Sequence, residues 1–201
     1  MPAESMERNH QARILCALIA QLEGSEKAEE KEILKERIEI QREILYEGDQ
    51  IVKGFSDVRE NLNGYPLEVI ATTNVNPTIT IRRGFFGSKN SGIAEFKYPF
   101  GAVKIILKHI DGEEEFFKIT DDDLRFIPVI VRDYWPINES ATTKKVGGRK
   151  EWRVKYQNRI LVLVTEKEGT RLGSFGFETV ITFYVQNPKK MKRIKPFSQK
   201  K

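Results

Sequence analysis

The chain has 201 residues, 39% hydrophobic and 31% charged, with a formal net charge of +5, a composition on the polar side of the globular range. One cysteine, Cys16, excludes an intrachain disulfide framework, and no apolar run approaches the length of a membrane span. A soluble, intracellular protein is therefore expected, with room for one domain and an appendage or for two small domains.

Charge is sorted along the chain. The first fifty residues hold twelve acidic and seven basic side chains, whereas Val185 to Lys201 hold seven basic and no acidic ones. Within the acidic head, Ile14, Leu15, Leu18, Ile19 and Leu22 recur at spacings of three and four and predict an amphipathic helix. In that apolar run Cys16 is expected to be a small buried hydrophobe. Gly24 and Ser25 break the helix, and Ser25 is placed to cap the next, whose first turn carries Glu26 and Glu29.

The second helix extends to about Glu47, with Ile33, Leu34, Ile38, Ile40, Ile44 and Leu45 as a broad apolar stripe. So broad a stripe buries against more than one neighbour, so these six residues are the expected oligomerisation or docking face. Gly48 is expected to interrupt, with Ile51, Phe55, Val58 and Leu62 forming a third helix that ends at Asn63-Gly64 and Pro66.

From Pro66 the apolar period shortens to two. Residues 67–73 and 78–83 read as strands around a turn at 74–77. Residues 102–110 and 113–119 flank Asp111-Gly112, a preferred type I′ hairpin dipeptide, with Lys108 facing Glu115 and Leu107 facing Phe116. Residues 126–134 read as a further strand, moved to a sheet edge by Pro128. Residues 138–150 are polar and loop-like; residues 151–156, 159–165 and 175–185 complete the set.

The predicted fold class is α+β: an N-terminal helical hairpin or three-helix segment (residues 1–65), an antiparallel β-sandwich or barrel-like domain (66–186), and a disordered basic tail (187–201).

The tail carries the strongest functional cue. Lys189, Lys190, Lys192, Arg193, Lys195, Lys200 and Lys201 form a polybasic segment that binds phosphate backbones by counterion release, without reading sequence. Arg149, Lys150 and Arg159, at the ends of the strand 151–156, are candidate extensions of a basic rim. Along that strand Trp152, Val154 and Tyr156 share one face and Arg153 and Lys155 the other, so the aromatics are assigned to the core and not to a stacking platform. The loop 82–92 presents Phe85 and Phe86 at its base, placed to anchor it or to insert into a partner.

Catalytic patterns are weak. Glu95 and Lys97 make an E-x-K of the kind found in metal-dependent nucleases, but the nearest preceding acid, Asp57, lies in the helical region, which leaves too few ligands for Mg²⁺. Asp121-Asp122-Asp123 suits the first turn of a short helix better than a calcium loop. His10 and His109 supply no triad or zinc set. No cofactor and no metal site are expected.

These features predict a non-enzymatic assembly protein that associates with itself or with other subunits through its helices, in a virion or ribonucleoprotein particle, and touches nucleic acid through its tail. The alternatives are a dedicated DNA- or RNA-binding module and, third, a metal-dependent nucleic-acid enzyme.

Overall fold

The computed structural model describes residues 6–74, 77–87, 99–137, 149–167 and 178–186. Two helices open the chain: α1 (Met6–Gly24) and α2 (Ala28–Glu60). The break at Gly24 and Ser25 falls as expected, but the N-cap position of α2 is Lys27, and the Ser25 hydroxyl donates instead to Glu30 Oε2 at 3.1 Å. Glu29 and Glu30 occupy the first turn, where the macrodipole favours them.

The expected third helix does not exist as a separate element. α2 runs unbroken through Gly48 for 33 residues, about 50 Å at 1.5 Å per residue. Its two glycines are sites of close approach. A Cβ on Gly48 would lie 3.2 Å from Arg125 O, and one on Gly54 would lie 2.7 Å from Ile70 O. Each lets another backbone reach the helix surface, at a propensity cost that the packing offsets.

Two short strands follow, β1 (Val69–Thr73) and β2 (Ile79–Arg82), close to their predicted limits. The predicted hairpin at 102–119 is absent. Its first half is helical, α3 (Gly101–Ile105) continuing as a π-helix at Ile106–Ile110; the second half contains a 3₁₀ turn at Glu115–Phe117. Besides Val103, the buried side chains of this segment are Ala102, Ile105, Ile106 and His109. Their spacing of three, one and three is helical, and it outweighs the β-branched composition. Both positive dihedrals that a type I′ turn needs occur elsewhere, at Gln157 (φ 47°) and Asn158 (φ 60°).

The predicted strand 126–134 is likewise a helix. α4 (Asp121–Arg125) leads into α5 (Ile127–Asp133), where Pro128 occupies the first turn, the helical position that tolerates a missing N–H. Ile127 to Val131 are all buried, so the run carries no periodicity to separate helix from strand. Asp121, Asp122 and Asp123 do form an acidic first turn, closed by a capping box between Thr120 and Asp123.

β3 (Arg149–Tyr156), β4 (Arg159–Lys167) and β5 (Glu178–Val185) follow. The five strands form one open sheet in the order β1-β2-β5-β4-β3, antiparallel except for β2 beside β5. It is neither a sandwich nor a barrel, because segments expected to supply further strands became helices that pack on the sheet. The parallel β2–β5 pair joins strands about a hundred residues apart, a pairing that local pattern does not report.

One core runs across the expected boundary at 65/66. Ile44, Ile51, Phe55 and Val58 of α2 share it with Ile79 and Ile81 of β2, Ile127 and Ile130 of α5, and Trp152, Leu163 and Phe183 of the sheet. A second, smaller cluster joins α1 to the first half of α2 through Leu18, Leu34 and Ile38. Between the two clusters lies a polar clasp, with buried Gln41 Nε2 donating to Gln11 O (3.1 Å) and Gln11 Oε1 (2.7 Å). Asp49 ties both neighbours of α2 together, accepting from Arg8 at 3.0 Å and Arg125 at 3.1 Å. Cys16 is exposed, contrary to expectation, because α1 presents only one side to α2.

Candidate functional site

α1 and the first half of α2 form a two-helix arm whose apolar seam is separate from the main core. On α2, Ile33, Ile40, Ile44, Ile51, Phe55 and Val58 follow one another at steps of seven, four, seven, four and three. That is a single stripe at helical period. Ile44, Ile51, Phe55 and Val58 are buried against the body. Ile33 and Ile40 belong to the same stripe but remain 53% and 37% exposed.

The structure thus divides the predicted docking face. Leu34 and Ile38 close the seam with α1, Ile44 enters the main core, Leu45 is half-buried, and Ile33 and Ile40 stay outside. α1 repeats the theme. Its residues 14–20, ILCALIA, are apolar all round, yet only Leu18 is buried; Cys16, Ala17 and Ala20 are exposed. A helix apolar on every side is ordinarily enclosed on every side.

The three candidate rim cations are not gathered. Arg149 donates to Glu166 Oε2 at 3.0 Å, and Lys150 is bonded to Glu178, which also accepts from Thr165 Oγ1 at 2.8 Å. Arg159 sits at the other end of the β3–β4 hairpin, about 23 Å away at the usual strand rise. There it donates to Asp123 Oδ1 at 2.6 Å and to Lys118 O at 2.9 Å. Each cation has its own carboxylate.

Trp152 and Val154 are fully buried, and Tyr156 stacks on Phe126 with ring centroids 4.2 Å apart, so this face of β3 belongs to the core. Phe85 bridges to Phe100 and packs edge-on against it at 5.7 Å, whereas Phe86 is exposed. The tail residues Lys189, Lys190, Lys192, Arg193, Lys195, Lys200 and Lys201, the E-x-K pair Glu95 and Lys97, and the polar loop 138–148 lie outside the described residues. β5 ends beside the Arg159 end of the sheet, where the Gln186 N–H donates to Ile160 O at 2.7 Å.

Comparison with protein-family models, with curated proteins and with solved structures found no match. Among the described residues no helix is long and apolar enough to cross a membrane, and no three His, Cys, Asp or Glu side chains are grouped to hold a metal ion.

One buried acid stands apart. Burial holds the Glu47 carboxyl above the usual carboxylate range, opposed by the Asn74 N–H that donates to it and reinforced by Glu43. Its second oxygen has no hydrogen-bond partner. Through the Asn74 N–H this group fixes the end of β1 against α2.

Sequence reasoning overlooked Lys104 and Lys108. Their i, i+4 spacing would have marked them as one helical face had residues 101–110 been read at period 3.6.

Proposed function

We propose that the protein is a non-enzymatic assembly component that associates with a second copy through its helical arm and holds nucleic acid through its basic tail. The observation that carries this is the α2 stripe, which continues past the edge of the body as exposed Ile33 and Ile40. Two such hairpins can close into a four-helix bundle, giving both the α2 stripe and the apolar run of α1 an apolar neighbour. Residues 26–43 carry seven acidic and five basic side chains, so two arms meet without strong net repulsion.

Size exclusion with light scattering is expected to return at least twice the monomer mass. The double variant Ile33→Glu, Ile40→Glu should return the monomer mass while its thermal transition is retained, since neither side chain enters the core. A sharp wild-type monomer at working concentration would overturn the arm reading.

The tail is tested separately. Seven basic side chains that displace condensed counterions from phosphates predict a steep fall of oligonucleotide affinity with salt, and truncation after Asn187 should flatten that slope. An unchanged slope removes the tail from the interface.

A further inference from the structure

Opposite the core face of β3 lies a second sheet face with a different chemistry. Strand register places Arg149 beside Glu166 and Thr179, Glu151 beside Val164 and Thr182, and Arg153 beside Val162 and Tyr184. The α3–π helix lies along this face over β5, where the His109 ring stacks on Tyr184 with centroids 5.4 Å apart and planes 26° apart. From that helix come Lys104 and Lys108, one turn apart. π-turns inside helices are often found at functional positions.

Lys104 is half-buried, and among the described residues no carboxylate is bonded to it. The charges that act on it are two more cations, Lys108 and Arg149. Burial first, then Lys108 and Arg149, push its ammonium down to about 8. On the same face the Thr182 hydroxyl is buried without a hydrogen-bond partner. Arg149 is paired with Glu166 and Lys108 is exposed, so the main cost at Lys104 is the desolvation of its own ammonium, which a bound anion relieves.

We propose that Lys104, Lys108 and Arg149 form a binding site for the phosphodiester backbone of a nucleic acid on the folded body of the protein. The site shares its partner with the tail reading and depends on neither the tail nor the arm. A phosphodiester fits better than a small anion, because the cations come from separate elements, helix and strand, and a chain of phosphates can occupy both. Arg149 remains held by Glu166 while offering its outer N–H groups, the geometry in which guanidinium bridges an acid and a phosphate.

The proposal has a pH signature that the tail lacks. A solvated lysine ammonium stays charged through pH 9, and a phosphodiester is ionised throughout. Lys104 loses its proton across pH 7 to 9 in the free chain, and a bound phosphate favours the charged form. Affinity must therefore fall as pH rises, by about tenfold over those two units.

Several charged groups on the elements packed against this helix have partners of their own among the described residues. Arg59 of α2 is paired with Asp111, Arg83 of β2 with Glu68, Arg82 of β2 with Leu67 O, Glu178 of β5 with Lys150, and His109 lies near Glu113. Burial holds the Tyr184 hydroxyl above its ordinary value, with Glu151 adding to and Arg153 opposing the shift, so it remains neutral in this window.

The test is fluorescence anisotropy of a labelled single-stranded oligonucleotide with the full chain at fixed salt, at pH 7 and pH 9. Wild type should bind about tenfold more weakly at pH 9. Lys104→Arg should keep the pH 7 affinity and lose the pH dependence, because a guanidinium stays charged. Lys104→Met should bind at pH 7 about as weakly as wild type does at pH 9. Wild-type binding that is flat from pH 7 to 9, or a Lys104→Arg variant that keeps the wild-type slope, overturns the site while leaving the tail reading standing. Absence of any binding overturns both.

Discussion

Asp123→Ala is expected to destabilise the protein by about 3–5 kcal/mol, measured as the shift of the urea midpoint at constant slope. Asp123 is fully buried and carries the junction between the helical layer and the sheet. It accepts from Arg159 at 2.6 and 2.9 Å, and from the Thr120 N–H at 2.8 Å and hydroxyl at 2.9 Å. Alanine removes the capping box of α4, worth about 1 kcal/mol. The larger part comes from leaving the Arg159 guanidinium, itself only 10% exposed, without its counter-charge. The double variant Asp123→Leu, Arg159→Met separates the two effects, since removing both charges should recover most of the loss. A single-variant loss below about 1 kcal/mol would show that solvent reaches the pair.

Trp152→Ala should cost a comparable amount, about 3–5 kcal/mol, through the cavity it leaves among β3, β4, β5 and α5. Trp152 is fully buried, lies in register with Leu163, and donates its indole N–H to Tyr134 O at 3.2 Å. Trp152→Phe keeps much of the volume but leaves that carbonyl without the indole, so it should fall between wild type and alanine. The check is denaturant unfolding followed by tryptophan emission in a Trp135→Phe background. Trp135 is 58% exposed and its removal leaves Trp152 as the sole reporter. Red-shifted native emission in that background would contradict the burial on which the prediction rests.

These two sites show how unevenly the sequence disclosed the fold. The inward assignment of Trp152, Val154 and Tyr156 followed from strand alternation alone, and the acidic turn at Asp121 to Asp123 from macrodipole preference. The partnership of Asp123 with Arg159 did not, since 36 residues separate them and neither position has an unusual local pattern. The same holds for the candidate sites. Ile33 and Ile40 were grouped with Leu34, Ile38 and Ile44 because all six apolar residues lie on one broad stripe. Which of them meets α1, the body or solvent depends on where α2 overhangs the sheet. Lys104 and Lys108 were hidden by reading their segment as a strand, in which Lys108 faced Glu115 across a hairpin and the two lysines did not stand out as one helical face.

Periodicity and turn chemistry by themselves determined the helical head, the strand positions at β1 to β5, the orientation of β3 and the electrical sorting of head and tail. Those properties depend on residues a few positions apart. Tertiary structure alone decided that α2 passes through Gly48, that 101–110 and 127–133 are helices, and that β2 pairs in parallel with β5 to leave an open sheet. The reason is physical: a short β-branched run buried on all sides satisfies its backbone equally well in either geometry, and the neighbours that select one lie far away in sequence.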